Sequence, residues 1–280
     1  IGATPEARYL TDELMAKADT EFDLAEQAVA NDPAALQRVR IARMSTDYVA
    51  IEHARHDAEK IGEFDNVNFK IKPKPEFATR VKRFLAAGDA VGITNMREQG
   101  LTWAEYKAPL PELLKEEPLK AHAGLKTSGF SAGLTYGYYP GDRHSVAGLG
   151  KASPTREGAM PQFSLDAGTL DPAFALVIRG LIRVKNPGIY SFHLQSNDGS
   201  ALYIDGEKVV DNDGDHTLLT KSSNVALEVG IHSIAVRYYQ VGGDMGLKLE
   251  YQGPGIEKQP VPADVLFHDI KGENIADTEE

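Results

Sequence analysis

The sequence contains no cysteine and has fewer basic than acidic residues. Without cysteine the chain can form no disulfide, bind no metal through a thiolate and use no cysteine nucleophile. It has 30 Lys and Arg against 41 Asp and Glu, which gives a net charge of -11. Binding to nucleic-acid phosphates needs a concentrated basic surface, so this balance argues against nucleic acid as a partner.

Long hydrophobic runs are absent as well. No apolar segment reaches the roughly 18–20 residues that a membrane-spanning helix requires, so we expect no membrane span. Hydrophobic residues make up 42% and charged residues 25% of the 280 residues, which is typical of a soluble globular protein. This length corresponds to about two domains of roughly 100–200 residues. The chain opens at Ile1 without a charged and apolar leader, so either a leader was removed or the chain is a fragment of a longer protein, which we favour.

Residues 1–101 have the pattern of a helical domain. Thr11 precedes a segment with apolar residues at every third or fourth position, and Asp32–Pro33 ends that helix and starts a second one. A third helix is predicted from about Pro75 to Ala87, with Gly88 as its stop. These helices predict a small bundle, or one side of a larger one.

Residues 102–123 are rich in proline, with Pro109, Pro111 and Pro118 among charged residues. Prolines at this density prevent a continued helix, so the segment is predicted to be a linker that partly docks on its neighbours. At the other end of the chain, residues 271–280 are predicted to form an acidic tail.

Residues 124–270 have the pattern of an antiparallel β-domain. Short apolar segments such as Phe174–Gly180 and Ile189–Gln195 are separated by turns of Gly, Asn and Asp roughly every 8–12 residues. This spacing indicates a sandwich or barrel. The predicted fold class is therefore α+β, with a helical bundle fragment followed by an antiparallel β-sandwich or barrel.

A series of glycine- and aspartate-containing motifs runs in order through residues 124–268. They are Gly133–Gly141, Pro187–Phe192, Ser196–Gly206, Val209–Gly214 with His216, Gly230–Gln240 with Gly242–Gly243, Gly253–Gly255 and Pro260–Leu266. In this order they resemble the anthrax-protective-antigen-type fourteen-kilodalton domain, a β-sandwich module found in glycosidases and yeast adhesins. The resemblance implies a lectin-like β-sandwich.

The helical half carries a second resemblance. Asp23–Val29 and Arg38–Arg43, with Asp47–Val49 nearby, look like the helical region that follows the catalytic barrel in α-glucuronidase-like bacterial proteins. Amphipathic helices in general also produce such a pattern. The resemblance implies a catalytic domain upstream in the same polypeptide.

The turn after Ser196 and the loop after Gln240 are the candidate ligand site. In the adhesin branch of the family, two successive Asp residues hold Ca2+. Backbone carbonyls and a side chain from a later loop complete the site, and sugar hydroxyls bind the ion directly. Ca2+ takes 6–8 oxygen ligands, and a vicinal diol supplies two. The resemblance therefore implies a glycan site in these two segments.

The residues of this sequence depart from the family pattern at one position. Asn197 stands where the first Asp is expected, which leaves Asp198 as the only carboxylate of the pair. Asp244 of the later loop would restore the charge. The resemblance thus implies Asn197, Asp198 and Asp244 as Ca2+ ligands, and these residues with Gly243 as glycan contacts.

Each of these assignments has a plainer alternative. Asn197–Gly199 also reads as a simple turn, with Asp198 accepting backbone hydrogen bonds and Gly199 supplying a positive φ. Tyr139 is a candidate to stack on a sugar ring, but tyrosines of a β-sandwich often pack in its core. Asp211–Asp215 looks like a calcium loop but lacks the carboxylates and flanking helices of an EF-hand, so a hairpin tip with His216 against it is predicted.

These observations favour a non-catalytic carbohydrate-binding module in a larger exported glycoside hydrolase-like protein. Its partners would be a glycan or polysaccharide and the upstream catalytic domain, and its location extracellular, periplasmic or at the cell surface. One alternative is a structural or docking module without a glycan ligand. The other is that the chain forms part of a glycoside hydrolase active site, although no strand–helix alternation provides a catalytic barrel.

Overall fold

The computed structural model describes residues 9–55, 57–96, 100–126 and 129–269, and the predicted acidic tail lies outside them. The chain divides into two compact units. The helical unit comprises Ile1–Glu63 and Ile71–Glu117, and the β-unit comprises Phe64–Lys70 and Pro118–Glu280. The α+β class is confirmed. No helix in the described ranges combines the length and hydropathy needed to cross a membrane.

Helices dominate the first part of the chain. The α-helices are α1 (Asp12–Ala28), α2 (Pro33–Arg55), α3 (Ala58–Ile61), α4 (Pro75–Val91) and α5 (Trp103–Lys107). Short strands accompany them: β1 (Gly62–Asp65), β2 (Lys70–Pro73), β3 (Asn95–Met96), β4 (Leu101–Thr102) and β5 (Glu117–Pro118). The predicted helix starts are correct, because Thr11 Oγ1 accepts from Leu14 N at 3.2 Å and Asp32 Oδ1 accepts from Ala34 N at 3.0 Å.

The end of α4 differs from the prediction. Gly88 was expected to stop the helix, but it lies inside it, and Gly92 takes the left-handed cap with φ 67°. A Cβ on Gly88 would lie 2.3 Å from the Trp103 ring. Gly88 is therefore required for close packing against Trp103 rather than for helix termination.

The core of the helical unit includes part of the segment predicted to be a linker. Trp103, Tyr106 and Leu110 are buried together with Phe84 and Val81. The prolines follow α5 instead of interrupting it, so they end the short helix without keeping its aromatic side chains out of the core. Residues 102–123 consequently begin as part of the helical unit.

A charge network joins helices α1, α2 and α4. Arg43 is 3% exposed and donates to Asp19 at 3.0 Å, to Asp23 at 2.5 Å and to Glu26 at 3.1 Å. Three carboxylates from α1 thus surround one buried guanidinium of α2. Such a group is stable only while its partners remain, because an unpaired buried charge is costly.

Two sheets form the β-unit. Its strands are β6 (Ala121–His122), β7 (Phe130–Ala132), β8 (Leu134–Pro140), β9 (Arg156–Met160), β10 (Phe174–Val184), β11 (Gly188–Ser196), β12 (Ser200–Ile204), β13 (Glu207–Asn212), β14 (Leu219–Leu227), β15 (Gly230–Gln240), β16 (Leu247–Gly253), β17 (Ile256–Pro260) and β18 (Leu266–Asp269). The larger sheet has the order β13-β12-β15-β10-β18-β7, with β8 on β10 and β9 on β8. The smaller one has the order β17-β16-β11-β14-β6. These sheets form a sandwich, not a closed barrel.

The larger sheet is buried on both faces. One face packs on the smaller sheet through residues such as Ile178, Val236 and Phe192. The opposite face carries a second apolar cluster, in which Val146 and Leu149 cover Val177 and its neighbours. Since both faces are covered, β10 is apolar almost throughout instead of alternating.

The β-unit also uses a short segment from the first half of the sequence. Residues 64–70 belong to it, and Asn66 Oδ1 accepts a hydrogen bond from Ile189 N at 2.8 Å. A Cβ on Gly188 would lie 2.9 Å from Asn66 Oδ1. The start of β11 is therefore shaped to receive Asn66, and the β-unit is discontinuous in sequence.

A buried histidine pairs with an aspartate in the β-unit. His232 is 0% exposed, with Nδ1 2.7 Å from Asp205 Oδ2 and Nε2 2.9 Å from Glu228 O. Both partners are acceptors, so both ring nitrogens donate when both bonds form. Burial lowers the pKa of His232, but the hydrogen bonds to Asp205 and Glu228 outweigh it and raise the pKa above its ordinary value.

We expect the stability from His232 to decline as the pH rises. A pKa raised on folding makes this contribution complete below the unfolded value of about 6.5 and removes it as the pH passes through the folded-state pKa. Each unit of difference between the folded-state and unfolded-state pKa contributes about 1.4 kcal/mol to the free energy of unfolding. Urea denaturation between about pH 6 and pH 9 should show this decline in the wild type and not in His232→Gln. His144→Gln, at an exposed histidine, serves as the control, and parallel curves for wild type and H232Q would contradict the assignment.

Candidate functional site

The two candidate segments meet at one end of the sandwich. The turn at 197–199 follows β11, and the loop at 241–246 follows β15. Asn197 N donates to Gly246 O at 2.9 Å, and Tyr239 N donates to Gly199 O at 2.9 Å. The structure thus brings together two segments that are more than 40 residues apart, as the motifs predicted.

Asp198 ties the turn to the loop. It is 8% exposed, and its Oδ2 accepts a hydrogen bond from Val241 N at 2.9 Å. Its own N–H donates to His216 O at 2.8 Å, which adds a third segment to the contact. One carboxylate oxygen is thereby engaged by the protein backbone.

The positive φ of the turn is at Asp198 rather than at the following glycine. Asp198 has φ 59°, in the left-handed region, whereas the turn interpretation placed the positive φ at Gly199. Asp and Asn tolerate this conformation better than most residues. Gly199 is needed for another reason: a Cβ there would lie 2.2 Å from the Tyr239 ring.

The other predicted contacts lie on the outer parts of the two segments. Asn197 is half-buried, and Gly243, with φ 79°, and Asp244 are exposed. Leu218 and Met245, each 52% exposed, add apolar surface, and Leu218 lies against Gly246. Oxygen-bearing side chains beside exposed apolar ones are the combination that a sugar requires, with its hydroxyl edge and its apolar face.

Tyr139 does not belong to this surface, so that prediction is wrong. The ring is 3% exposed within the outer apolar cluster of the larger sheet, and its hydroxyl donates to Ala152 O at 3.3 Å. Its neighbour Tyr138 points into the opposite cluster, between the sheets. Neither ring offers an open face to a sugar.

The aspartates of the loop at 211–215 form hydrogen bonds to other segments of the protein. Asp213 accepts hydrogen bonds from Ser145 Oγ at 2.6 Å and from Val146 N at 3.0 Å. Asp215 accepts from Tyr239 Oη at 2.7 Å and lies 2.6 Å from His144 Nδ1, and these two bonds lower its pKa. This hairpin tip therefore fastens the segment at 144–146 instead of forming an EF-hand.

The predicted cation ligands are of the chemical type that Ca2+ binds, but they are few. Asn197, Asp198 and Asp244 carry oxygen donors, the kind of ligand that Ca2+ prefers. Across the described ranges, no three His, Asp or Glu side chains gather closely enough to form a metal site. A cation here would need backbone carbonyls and ligand oxygens to complete its coordination.

Sequence reasoning missed a buried polar pair beneath the loop. Tyr238 and Gln240 are both 0% exposed, and the Tyr238 hydroxyl donates to Gln240 Oε1. Gln240 Nε2 donates in turn to Gly242 O at 2.5 Å. The available signal was the position of Gln240, which continues the inward-facing series of Ile234 and Val236 where an apolar residue is expected.

Comparison with known proteins gives a family match within the β-unit. Residues 138–264 match the family of PA14 domains. This is the protective-antigen-type family that the strand and turn motifs resemble, so the resemblance is confirmed for this part of the chain. No curated protein matches the sequence.

Several solved structures are similar to the chain at low identity. An anti-sigma factor domain-containing protein from Clostridium clariflavum has a TM-score of 0.42 and 24% identity, over 55% of this chain and 53% of that one. The PA14 sugar-binding domain from an RTX adhesin has a TM-score of 0.42 and 17% identity, over 49% of this chain and 98% of that one. The Epithelial Adhesin 9 A domain from Candida glabrata, in complex with Galb1-3GlcNAc, has a TM-score of 0.44 and 13% identity, over 57% and 99%. The match spans about half of the Clostridium clariflavum protein and of a second anti-sigma factor domain-containing protein, 53% and 56% of their lengths.

Proposed function

We propose that the PA14 domain at residues 138–264 is a non-catalytic carbohydrate-binding module. The observation that carries this proposal is the joined pair of loops at one end of the sandwich. Asp198 connects them through Val241 N, and Asn197, Gly243 and Asp244 lie at their outer parts. A ligand would meet preformed loops, which limits the entropy lost on binding.

The composition of this end suits a glycan. Carboxylate and amide groups of Asp198, Asp244 and Asn197 accept or donate hydrogen bonds to hydroxyls, and exposed Leu218 and Met245 would cover the apolar face of a ring. Similar folds bind sugars: the adhesin domains compared above are described as sugar-binding or were solved with a disaccharide. We expect low affinity, because few polar contacts replace the water bound to a sugar.

Ca2+ is the cation that we propose for this site. Asn197, Asp198 and Asp244 would hold it, and its chemistry would be to accept sugar hydroxyls as direct ligands. The replacement of an expected Asp by Asn197 removes one charge, so the affinity for the ion should be lower than at a site with two successive carboxylates.

We further propose that the chain serves a larger exported protein with a glycoside hydrolase-like catalytic domain upstream. The resemblance of the helical half to the region after such a domain supports this arrangement. The module would then keep the enzyme near its polysaccharide, outside the cytoplasm.

A glycan-array screen of the purified chain tests the proposal, run once with Ca2+ and once with a chelator. Binding that disappears with the chelator would support the ion and the lectin role together. Binding that is indifferent to the chelator would keep the module and discard the ion. The variant Asp264→Ala removes an exposed carboxylate that lies outside both loops. It is the control for substitutions within the loops and should bind glycans as the wild type does.

A structural module without a glycan ligand is the second candidate. The bond from Val241 N to Asp198 Oδ2 favours it, because it gives the carboxylate a purely internal purpose. Silence on the array in both conditions would select this alternative.

A further inference from the structure

Two buried polar side chains lie directly beneath the loop at 241–246. Tyr238 and Gln240 are neighbours on the inward face of the last part of β15, and both are 0% exposed. Polar groups at such a depth are costly unless hydrogen bonds satisfy them. Their partners are therefore a guide to their purpose.

Those partners are backbone groups of the loop itself. Gln240 Nε2 donates to Gly242 O at 2.5 Å and lies 3.4 Å from Asp244 O. Tyr238 donates to Gln240 Oε1. One connected set of bonds thus holds the loop at its start and its middle.

This arrangement decides which loop groups face outward. The carbonyls of Gly242 and Asp244 are directed to Gln240, inside the protein. Gly243, in the left-handed region, and the Asp244 side chain remain exposed on the outer side. A fixed loop of this kind presents the same surface before and after a ligand binds.

We propose that Gln240 and Tyr238 are positioning residues of the glycan site. They touch no ligand; they hold the loop at 241–246 in the shape that presents Gly243 and Asp244. This inference rests on the proposed carbohydrate-binding function, and it adds that the loop is ordered by internal hydrogen bonds rather than by the ligand.

The experiment uses two conservative variants and one control. Tyr238→Phe removes only the hydroxyl, and Gln240→Met removes both amide groups at similar volume. Tyr190→Phe is matched to the first, because Tyr190 is also buried and its hydroxyl donates to Asn186 O at 2.7 Å, at the opposite end of the sandwich. Amide hydrogen exchange of the loop, without ligand, and the glycan-array profile are measured for all three.

We expect the amide of Val241, which donates to Asp198 Oδ2, to exchange about tenfold faster or more in both loop variants and at the wild-type rate in Y190F. Glycan affinity should fall about 10–100-fold, by analogy with residues that orient metal ligands through hydrogen bonds. The rank order of glycans should also change, which a general loss of stability would not cause.

Unchanged loop exchange in Y238F and Q240M would overturn the proposal. Faster exchange with unchanged affinity and rank order would overturn it too, because the pair would then be structural only. If the wild type binds no glycan at all, the proposed function fails. The exchange data then decide separately whether the pair orders the loop.

Discussion

Asp198→Ala is expected to abolish glycan binding on the array and to lower the free energy of unfolding by about 1–3 kcal/mol. Alanine provides no acceptor for Val241 N, so a partly buried N–H loses its partner. It also fits the left-handed backbone at φ 59° poorly, which adds roughly 1–2 kcal/mol. Both effects weaken the attachment of the turn at 197–199 to the loop at 241–246.

Asp198→Asn isolates the part played by the charge. Asparagine keeps an acceptor oxygen and tolerates the left-handed conformation, so the fold should keep nearly its full stability. Binding that depends on Ca2+ should still fall, because the remaining carboxylate of the pair is gone. Wild-type array binding by D198A would contradict the site, and equal Ca2+ dependence in D198N would contradict the ion.

Arg43→Ala is expected to have the largest effect on the helical unit, a loss of about 3–5 kcal/mol in its free energy of unfolding. The substitution leaves Asp19, Asp23 and Glu26 without the buried guanidinium that joins them. Burial by itself raises the pKa of Asp19, but Arg80 and Arg43 hold it below its ordinary value. Removing one of these cations therefore works against the charged form of Asp19.

The chain provides both a probe and a control for this variant. Trp103 is the single tryptophan and belongs to the core of the helical unit, so tryptophan fluorescence in urea follows this unit. Arg40→Ala removes an exposed arginine of the same helix, with 51% side-chain exposure and a 3.3 Å contact to Glu26. An exposed pair contributes under about 1 kcal/mol, so R43A and R40A with equal losses would contradict the prediction.

The sequence patterns predicted the helices and strands better than they predicted which side chains are buried. Turn residues and apolar segments indicated the strands, and Thr11 and Asp32 indicated helix starts, because these signals depend on neighbours along the chain. Tyr139 was misjudged because its burial depends on the segment at 144–149 covering a second sheet face. Trp103 was missed for a similar reason: proline content describes the local chain, not what packs against it.

The candidate site shows the same division. Asn197, Asp198 and the glycines of the later loop could be selected from motifs because a turn needs particular residue types. The contribution of Gln240 could not be predicted from motifs, because its hydrogen bonds form only when the loop folds back over the end of β15. Only a polar residue at an inward-facing position pointed to it.

The bond between Asn66 and Ile189 has a consequence for how the protein is made. It joins residues 123 positions apart in sequence. During synthesis at roughly 5–20 residues per second, the segment at 64–70 therefore leaves the ribosome several seconds before the strand that it completes. A nascent chain stopped between the two holds an unfinished β-unit. Expression of residues 118–280 alone would leave out the acceptor that receives Ile189 N–H.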